Sequence, residues 1–187
     1  MLKTQLTHPE ILAALARAGH GSQVLIADGN YPFSTGANPA ATRVYLNLTR
    51  GSAPVDQVLE VIADAVLIEA AHVMVPESGP EPPIFASFRS ILPQGVPLQP
   101  LGRYAFYEEA RSPNVALVLA TGEQRIYANI LITIGVVPPS SSGIAIMMVD
   151  SSGNRPCLLA PQPWSVWNST GCAAIQGRSS RASISSA

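Results

Sequence analysis

Short apolar segments alternate with amphipathic helical segments over the first 137 residues, and this alternation limits the fold more than any other feature of the sequence. Apolar residues repeat at helical spacing in three segments, at 11–15, 54–62 and 84–92. Compact apolar or β-branched runs lie between and after them, at 23–27, 43–48, 69–75, 115–120 and 127–137. Helices that alternate with buried strands are typical of layered α/β proteins. The sequence therefore predicts one α/β domain over residues 1–137.

Local signals place several element boundaries. Thr7 and Glu10 have the spacing of a capping box, so the first helix is predicted to begin after Thr7 and to end before Gly19. Pro54 suits the first turn of the second helix. Residues 103–111 are predicted to be part strand end and part short helix. The loop at 29–41 is rich in glycine and proline, and its length indicates that it frames a site.

Charge is sparse and nearly balanced. Charged residues make up 12% of the chain, the net charge is −1 and Lys3 is the single lysine, so no basic stripe is available for phosphates and nucleic acid is not a predicted partner. A surface with so few charges predicts a homo-oligomer. No segment reaches the roughly 18 apolar residues of a membrane span, and the N-terminus does not resemble a secretory signal. We expect a soluble cytoplasmic protein without a membrane partner.

The composition changes after Val137. Residues 138–187 contain both tryptophans and both cysteines and are rich in serine and proline. Such a segment is predicted to be a partly disordered C-terminal extension without chemistry of its own. Cys157 and Cys172 lack metal-binding spacing, and so do the three histidines, so neither a metal site nor a structural disulfide is expected.

Two polar residues flank the first predicted strand. His20 lies between two glycines just after the first helix, whose carbonyl end favours a protonated imidazole by up to about 1 kcal/mol at a partly exposed site. His20 is therefore a candidate proton donor, or simply a solvated histidine beyond a helix end. Asp28 ends the strand, where ligands commonly bind in α/β proteins. Its alternative role is an Asx turn with Gly29 and Asn30.

Three further candidates lie later in the chain. Arg103, among aromatic residues, can form hydrogen bonds to a polar ligand or stack on surface rings. Tyr127 and Asn129 flank Ala128 and would share one face of a strand at 127–137, where they can bind a polar ligand or pair at the strand edge. His72 is predicted to be a core histidine with its hydrogen bonds satisfied.

Motifs of three enzyme classes are absent from the sequence. It has no G-x-S-x-G, no G-x-x-x-x-G-K-[ST] and no G-x-G-x-x-G between a strand and a helix. Serine hydrolases, P-loop nucleotidases and dinucleotide-binding enzymes are thus unsupported.

Four motifs together resemble the family of D-ribose pyranases and L-fucose mutarotases. In chain order they are Gly19-His20-Gly21, Ala27-Asp28, Arg103 followed by Phe106-Tyr107-Glu108, and Thr121-Gly122-Glu123 followed by Tyr127-Ala128-Asn129-Ile130. The resemblance covers residues 1–137, and arginine at 103 is similar to the fucose branch rather than to the ribose branch, which has histidine there. Ser22 and Ala128 differ from the fucose relatives and leave the sugar open.

The resemblance implies a fold and an activity. It implies a single three-layer α/β/α domain with a central mixed sheet, in ring-shaped homo-oligomers, often decamers, with sites at subunit boundaries. His20 would be the catalytic, proton-transferring residue, oriented or balanced by Asp28. The sugar contacts implied by the family are Asp28, Arg103, Tyr127, Ala128 and Asn129.

The implied reaction is the interconversion of sugar anomers, or of pyranose and furanose forms, by general acid–base ring opening. One acid and one base are enough for this reaction, so no cofactor or metal is expected. Three alternatives stay open: a non-catalytic monosaccharide-binding accessory protein in sugar uptake or regulation, a structural oligomer with a vestigial pocket, and another acid–base isomerase, for instance one that acts on a ketose.

Overall fold

The computed structural model describes residues 2–139, which form four helices and six strands. The helices are α1 (Pro9–Arg17), α2 (Val55–Ala65), α3 (Ile84–Ile91) and α4 (Arg103–Ala110). The strands are β1 (Gln23–Ala27), β2 (Thr42–Tyr45), β3 (Ile68–Val75), β4 (Leu98–Gly102), β5 (Val115–Ala120) and β6 (Ile130–Ile134). Apart from Pro138 and Pro139, the predicted extension at 138–187 lies outside the described residues.

All six strands form one mixed sheet in the order β2-β5-β1-β6-β3-β4. The pairs β2–β5, β1–β5 and β3–β4 are parallel, whereas β6 is antiparallel to both of its neighbours, β1 and β3. Strands β1 to β5 therefore all end at one edge of the sheet, where β6 begins. We call this the carboxyl edge, and we call the opposite edge, where β6 ends, the amino edge.

Helices cover both faces of the sheet, as the predicted three-layer arrangement requires. The apolar sides of α1, α2 and α3 pack on one face against Val24 and Ile26 of β1 and the alternate residues of β6. Helix α4 packs on the other face, where Phe106 is completely buried against a cluster with Leu25 and Leu131. Side chains that alternate along β1 and β6 thus enter two different cores, which confirms the three-layer α/β/α prediction.

Most predicted elements are present, but several boundaries differ. The cap of α1 is His8, not Thr7, because Pro9 begins the helix and the His8 Nδ1 accepts from the Ile11 N–H at 3.5 Å. Strand β2 ends at Tyr45 instead of 48. Residues 103–110 are entirely helical, since the strand before them ends at Gly102. Strand β6 begins at Ile130, three residues later than predicted.

The turn after β5 ties the carboxyl edge to the start of α2. The Thr121 hydroxyl donates to the Ala27 carbonyl at 2.8 Å, and the Gly29 N–H donates to the Glu123 carbonyl at 2.9 Å. Glu123 Oε2 accepts from the first N–H of α2, that of Val55, at 3.2 Å. These bonds fix the end of β1 relative to the turn. None of the helices within residues 2–139 is long and apolar enough to cross a membrane.

Candidate functional site

Asp28 and Asn129 form a reciprocal pair at the carboxyl edge. The Asp28 N–H donates to Asn129 Oδ1 and the Asn129 amide donates to Asp28 Oδ2, each at 2.9 Å. The other carboxylate oxygen, Oδ1, accepts from the Asn30 N–H at 2.9 Å, which is the Asx turn that the sequence offered as an alternative. Both side chains are buried. Asp28 is therefore rigidly held at the point where β1 ends and β6 begins.

Burial raises the pKa of the Asp28 carboxyl above its usual range. Hydrogen bonds from Asn30, Asn129 and the Ala128 backbone N–H favour the carboxylate and offset part of this rise, whereas the negative charge of Glu123 adds to it. Desolvation and the hydrogen-bond donors thus have opposite effects on the pKa of this carboxyl. Such a group can accept a hydrogen bond from a ligand hydroxyl in a well-defined direction.

Arg103 and Tyr127 form a second pair at the same edge. Arg103 is the first residue of α4, directly after β4, and its Nη2 donates to the Tyr127 hydroxyl at 3.1 Å. The guanidinium carbon lies 6.0 Å from the centre of the Tyr127 ring. The hydrogen bond raises the pKa of Arg103, so this group is a permanent cation. Arg103 is exposed, and its other side-chain N–H groups make no hydrogen bond within residues 2–139, so they are available to a polar ligand.

The sequence predicted that Tyr127 and Asn129 share one face of a strand, but neither residue is part of a strand. Both residues precede β6, and Tyr127 has φ +62°, in the left-handed region. A tyrosine in this conformation costs on the order of 1 kcal/mol, since its Cβ approaches the backbone closely. The strand predicted at 127–137 therefore begins only at Ile130. Ala128 lies between the two residues with its side chain buried in the core of α1, α2 and α3.

His20 lies at the amino edge, beyond the start of β1. Its Nε2 is 3.1 Å from Glu69 Oε2, and 58% of the histidine side chain is exposed. Gly21 follows His20 and has φ +79°. Its N–H donates to the Ile134 carbonyl at the end of β6, and this bond attaches the turn that carries His20 to the sheet. His20 therefore has a carboxylate partner, but this partner is Glu69 and not Asp28.

One chain does not bring His20 and Asp28 together. They are separated by the whole of β1, whose five residues span about 16 Å. The antiparallel register of β6 shows the same separation, because Ile26 pairs with Ile130 near Asp28 and Gln23 pairs with Thr133 near the histidine turn. The hypothesis that Asp28 orients His20 is therefore wrong within a single subunit. The predicted site residues form two groups at opposite edges of the sheet.

His72 differs from its prediction. It is only half-buried, and its Nδ1 is enclosed without a hydrogen-bond partner among the described residues. It lies on the sheet face that α4 covers, next to Leu131 of β6. The apolar segment around His72 indicated a buried histidine with its hydrogen bonds satisfied. The sequence does not show that one helix alone, α4, packs on this face of the sheet.

A polar pocket of about 480 Å³ opens at the carboxyl edge beside the Asp28 turn. Its walls come from the three loops that follow β1, β2 and β5, and its lining residues are Gly29, Asn30, Asn47, Thr49, Arg50, Thr121, Gly122, Glu123 and Gln124. Concave sites at the carboxyl ends of strands are where ligands bind in open α/β sheets. No group of three or more metal-ligating side chains lies together within residues 2–139.

These features define an α/β protein with a candidate site for a polar small molecule at the carboxyl edge of a mixed sheet. Residues 1–137 match the model of the RbsD / FucU transport protein family, and the chain belongs to this family. The match ends where the described α/β unit ends, Met1–Val137.

The chain is similar to relatives from vertebrates and bacteria, and each match extends over most of the relative's length. A fucose mutarotase from Bos taurus is 34% identical over 142 residues, which is 72% of this chain and 92% of the relative. A fucose mutarotase from Danio rerio is 32% identical over 139 residues, 70% and 90% of the two chains. A D-ribose pyranase from Geobacillus kaustophilus (strain HTA426) is 30% identical over 136 residues, 73% and 95%.

Solved structures share the fold. The fucose mutarotase from Streptococcus pneumoniae, crystallised in complex with L-fucose, has a TM-score of 0.60 and 27% identity, and the match covers 70% of this chain and 94% of that one. RbsD from Bacillus subtilis, complexed with D-ribose, has a TM-score of 0.64 at 20% identity, covering 74% and 100%. The latter similarity supports the α/β fold alone.

Proposed function

We propose that the chain is a sugar mutarotase, an isomerase that interconverts the anomers, or the pyranose and furanose forms, of a monosaccharide such as L-fucose. The observation that carries the proposal is the buried Asp28–Asn129 pair beside the Arg103–Tyr127 pair. Relatives with the names fucose mutarotase and D-ribose pyranase support the same chemistry at 30–34% identity. A cytoplasmic location, as the sequence predicts, is part of the proposal.

The chemistry requires only proton transfer. A base removes the proton of the anomeric hydroxyl, its O–H electron pair becomes the second carbon–oxygen bond of an aldehyde, and the ring C–O bond breaks. The ring oxygen then takes a proton, and the open sugar recloses from the other face of the carbonyl. Positioned acid–base groups accelerate such steps by about 10²–10⁴-fold. In the proposal, His20 transfers the proton. The hydroxyl groups of the sugar are bound by Asp28, Arg103 and residues 127–129.

A complete site then needs His20 from a second copy of the chain. Within one subunit the histidine and Asp28 lie at opposite edges of the sheet, so the catalytic and sugar-binding groups meet only if the amino edge of one copy contacts the carboxyl edge of another. Such a head-to-tail contact is heterologous, and it closes into a ring when the rotation allows. We therefore propose a homo-oligomer, such as the decamer implied by the family resemblance, with sites between subunits.

Exposed apolar side chains lie near both groups of site residues. Next to His20 and Glu69, Leu67 and Val136 are exposed at 45% and 60%. Next to Arg103 and Tyr127, the side chains of Tyr104 and Ile126 are exposed at 73% and 67%. Apolar groups of this size beside a polar site favour burial in a subunit contact.

NMR exchange spectroscopy tests the proposal. The wild-type protein is added in catalytic amounts to fucose, ribose, galactose and rhamnose, and saturation transfer between anomers is measured. We expect faster exchange for at least one sugar and its loss in His20→Ala. The matched control is His8→Asn, which changes a histidine outside the site and keeps an N-cap residue on α1; its exchange rate should equal that of wild type.

Two results would contradict the proposal. If His20→Ala kept full exchange, the histidine would not be the proton-transferring group. If the wild type bound a monosaccharide tightly without accelerating exchange of any of the four sugars, the protein would instead be a non-catalytic sugar-binding accessory protein. Isothermal calorimetry with the same four sugars distinguishes these cases.

A further inference from the structure

Glu69 is the extra residue of a bulge in β3. Ile68 pairs with Ile134 of β6, but the next pair joins Ala70 to Thr133, so Glu69 has no partner in this ladder. A β-bulge bends a strand locally and changes the direction of the side chain it carries, and bulges are common next to active sites. The bulge in β3 therefore occurs at Glu69, the residue whose carboxylate contacts His20.

The end of β6 leaves room for this carboxylate. A Cβ on Gly135 would lie 3.3 Å from the Glu69 Cβ and 3.5 Å from its Oε2, close to the atom that contacts the histidine. Gly135 also donates its N–H to the Leu67 carbonyl at 2.8 Å, and the Ile134 carbonyl accepts from Gly21. Both residues of the His20–Glu69 pair are thus attached to the same end of β6.

The contact has a consequence for the protonation of the ring. An ionised carboxylate only accepts hydrogen bonds, so a neutral His20 that bonds to Glu69 through Nε2 must carry its proton there. Its lone pair then lies on Nδ1. Carboxylates fix the tautomer of catalytic and metal-ligating histidines in this way.

We infer that Glu69 is a positioning residue that holds His20 in the Nε2–H tautomer and leaves Nδ1 as the basic atom. This inference rests on the proposed mutarotase function. Nδ1 takes the proton of the anomeric hydroxyl, the O–H electron pair forms the carbonyl bond, and the pair of the broken ring C–O bond stays on the ring oxygen. The ring oxygen takes a proton from water, and the imidazolium returns its proton to solvent.

Solid-state ¹⁵N NMR of the full-length, histidine-labelled protein reads the tautomer directly. The chain has three histidines, and the His20→Ala spectrum identifies the signals of His20. We expect wild type to show protonated Nε2 and unprotonated Nδ1 for the neutral ring. In Glu69→Ala we expect a mixture of both tautomers, and in Glu69→Asp, which keeps a carboxylate, a partial return to the wild-type pattern.

Exchange kinetics supply the second measurement. Glu69→Ala should lower kcat by roughly tenfold or more and change KM less than twofold, since the glutamate orients a group that transfers a proton. Glu69→Asp should recover part of kcat. The matched control is Glu81→Ala, which removes an exposed glutamate whose ion pair is with Arg89 and not with a site residue; its kcat should be unchanged.

The outcomes separate the inference from the proposed function. A wild-type protein that does not accelerate exchange of any of the four sugars overturns the proposed function, and the inference with it. If wild type is active but its neutral His20 carries the proton on Nδ1, or if a folded Glu69→Ala variant keeps the wild-type kcat, only the inference is overturned. Circular dichroism establishes that each variant is folded.

Discussion

Asn129 both donates to and accepts from Asp28, through two hydrogen bonds of 2.9 Å that join the end of β1 to the residue before β6. The amide satisfies both demands with two different atoms, because the Asp28 N–H needs an acceptor and the Asp28 carboxylate needs a donor. The pair therefore connects the two central strands of the sheet and fixes the direction of the carboxylate at the same time.

Replacement of Asn129 by alanine should destabilise the fold by about 2–4 kcal/mol, since it leaves one buried N–H and one buried carboxylate oxygen without partners. Urea denaturation measures the change in the free energy of unfolding. Asn114→Ala is the control, because this asparagine is exposed and its side chain makes no hydrogen bond within residues 2–139. A loss below about 0.5 kcal/mol at position 129 would show that the pair contributes little.

Mixed oligomers should recover activity that neither parent has. His20→Ala and Asp28→Asn are each expected to lack exchange activity, the first for want of the base and the second through weaker sugar binding. If every site combines His20 of one copy with Asp28 of a neighbour, random reassembly of an equal mixture restores about one quarter of the sites. The measurement is anomer exchange after unfolding and joint refolding.

The control for this experiment is a mixture of the two variants that is combined without refolding. Its activity should stay at the level of the separate variants while the subunits do not exchange. Activity that remained absent after joint refolding, with oligomers present by light scattering, would indicate that the two residues do not share a site.

Glu123 should make stability depend on acid pH. Burial alone would raise its pKa, but hydrogen bonds from Arg125 and the Val55 N–H outweigh this effect and lower the pKa from 4.5 to about 2. A lowered folded-state pKa means that the stabilisation is complete above about pH 4.5 and is lost as the pH falls toward 2. The shift corresponds to roughly 3 kcal/mol.

The free energy of unfolding of wild type and Glu123→Gln measures this contribution between pH 7 and pH 2.5. The difference between the two proteins should be largest near neutral pH and should shrink through the window below pH 4.5. The exposed pair of Glu81 with Arg89 provides the control, since Glu81→Gln should show a nearly constant and small difference. A wild-type minus Glu123→Gln difference that is independent of pH would contradict the assignment.

Gly122→Ala should destabilise the carboxyl edge strongly. A Cβ at this position would lie only 2.3 Å from the Thr49 carbonyl oxygen and 2.8 Å from that of Ser52, and backbone atoms have little room to move. We expect a loss of about 2 kcal/mol or more from the resulting strain. Gly102→Ala is the control, because an added Cβ there meets nothing within 4 Å. Equal melting temperatures of the two variants would refute the prediction.

Periodicity was sufficient for the layers of the fold but not for the residues at strand ends. Strands β1 and β5 were predicted with their observed bounds, because four to six successive apolar residues between turn formers are typical of a short buried strand. Tyr127 was misplaced because a left-handed tyrosine has no sequence signature. Its contact with Arg103 depends on tertiary structure alone.

The site residues also include some that local sequence motifs predict and one that depends on tertiary structure. Local motifs were enough to nominate His20 and Asp28 and to place them at the two ends of β1, but not to show that the partner of the histidine is Glu69 rather than Asp28. Glu69 was missed altogether, since its contact with His20 spans 49 residues of sequence and depends on a bulge. The single signal for it was an acid in an otherwise apolar strand.

Strand β6 runs against its neighbours, so one five-residue segment begins beside Asn129 and ends beside Gly135. A one-residue slip of this strand would turn its side chains to the opposite faces. It would displace both Asn129, the partner of Asp28, and Gly135, which leaves room for Glu69. If subunits associate head to tail, these two ends serve different sites. A mutation that changes the register of β6 would then alter two neighbouring sites of the oligomer at once.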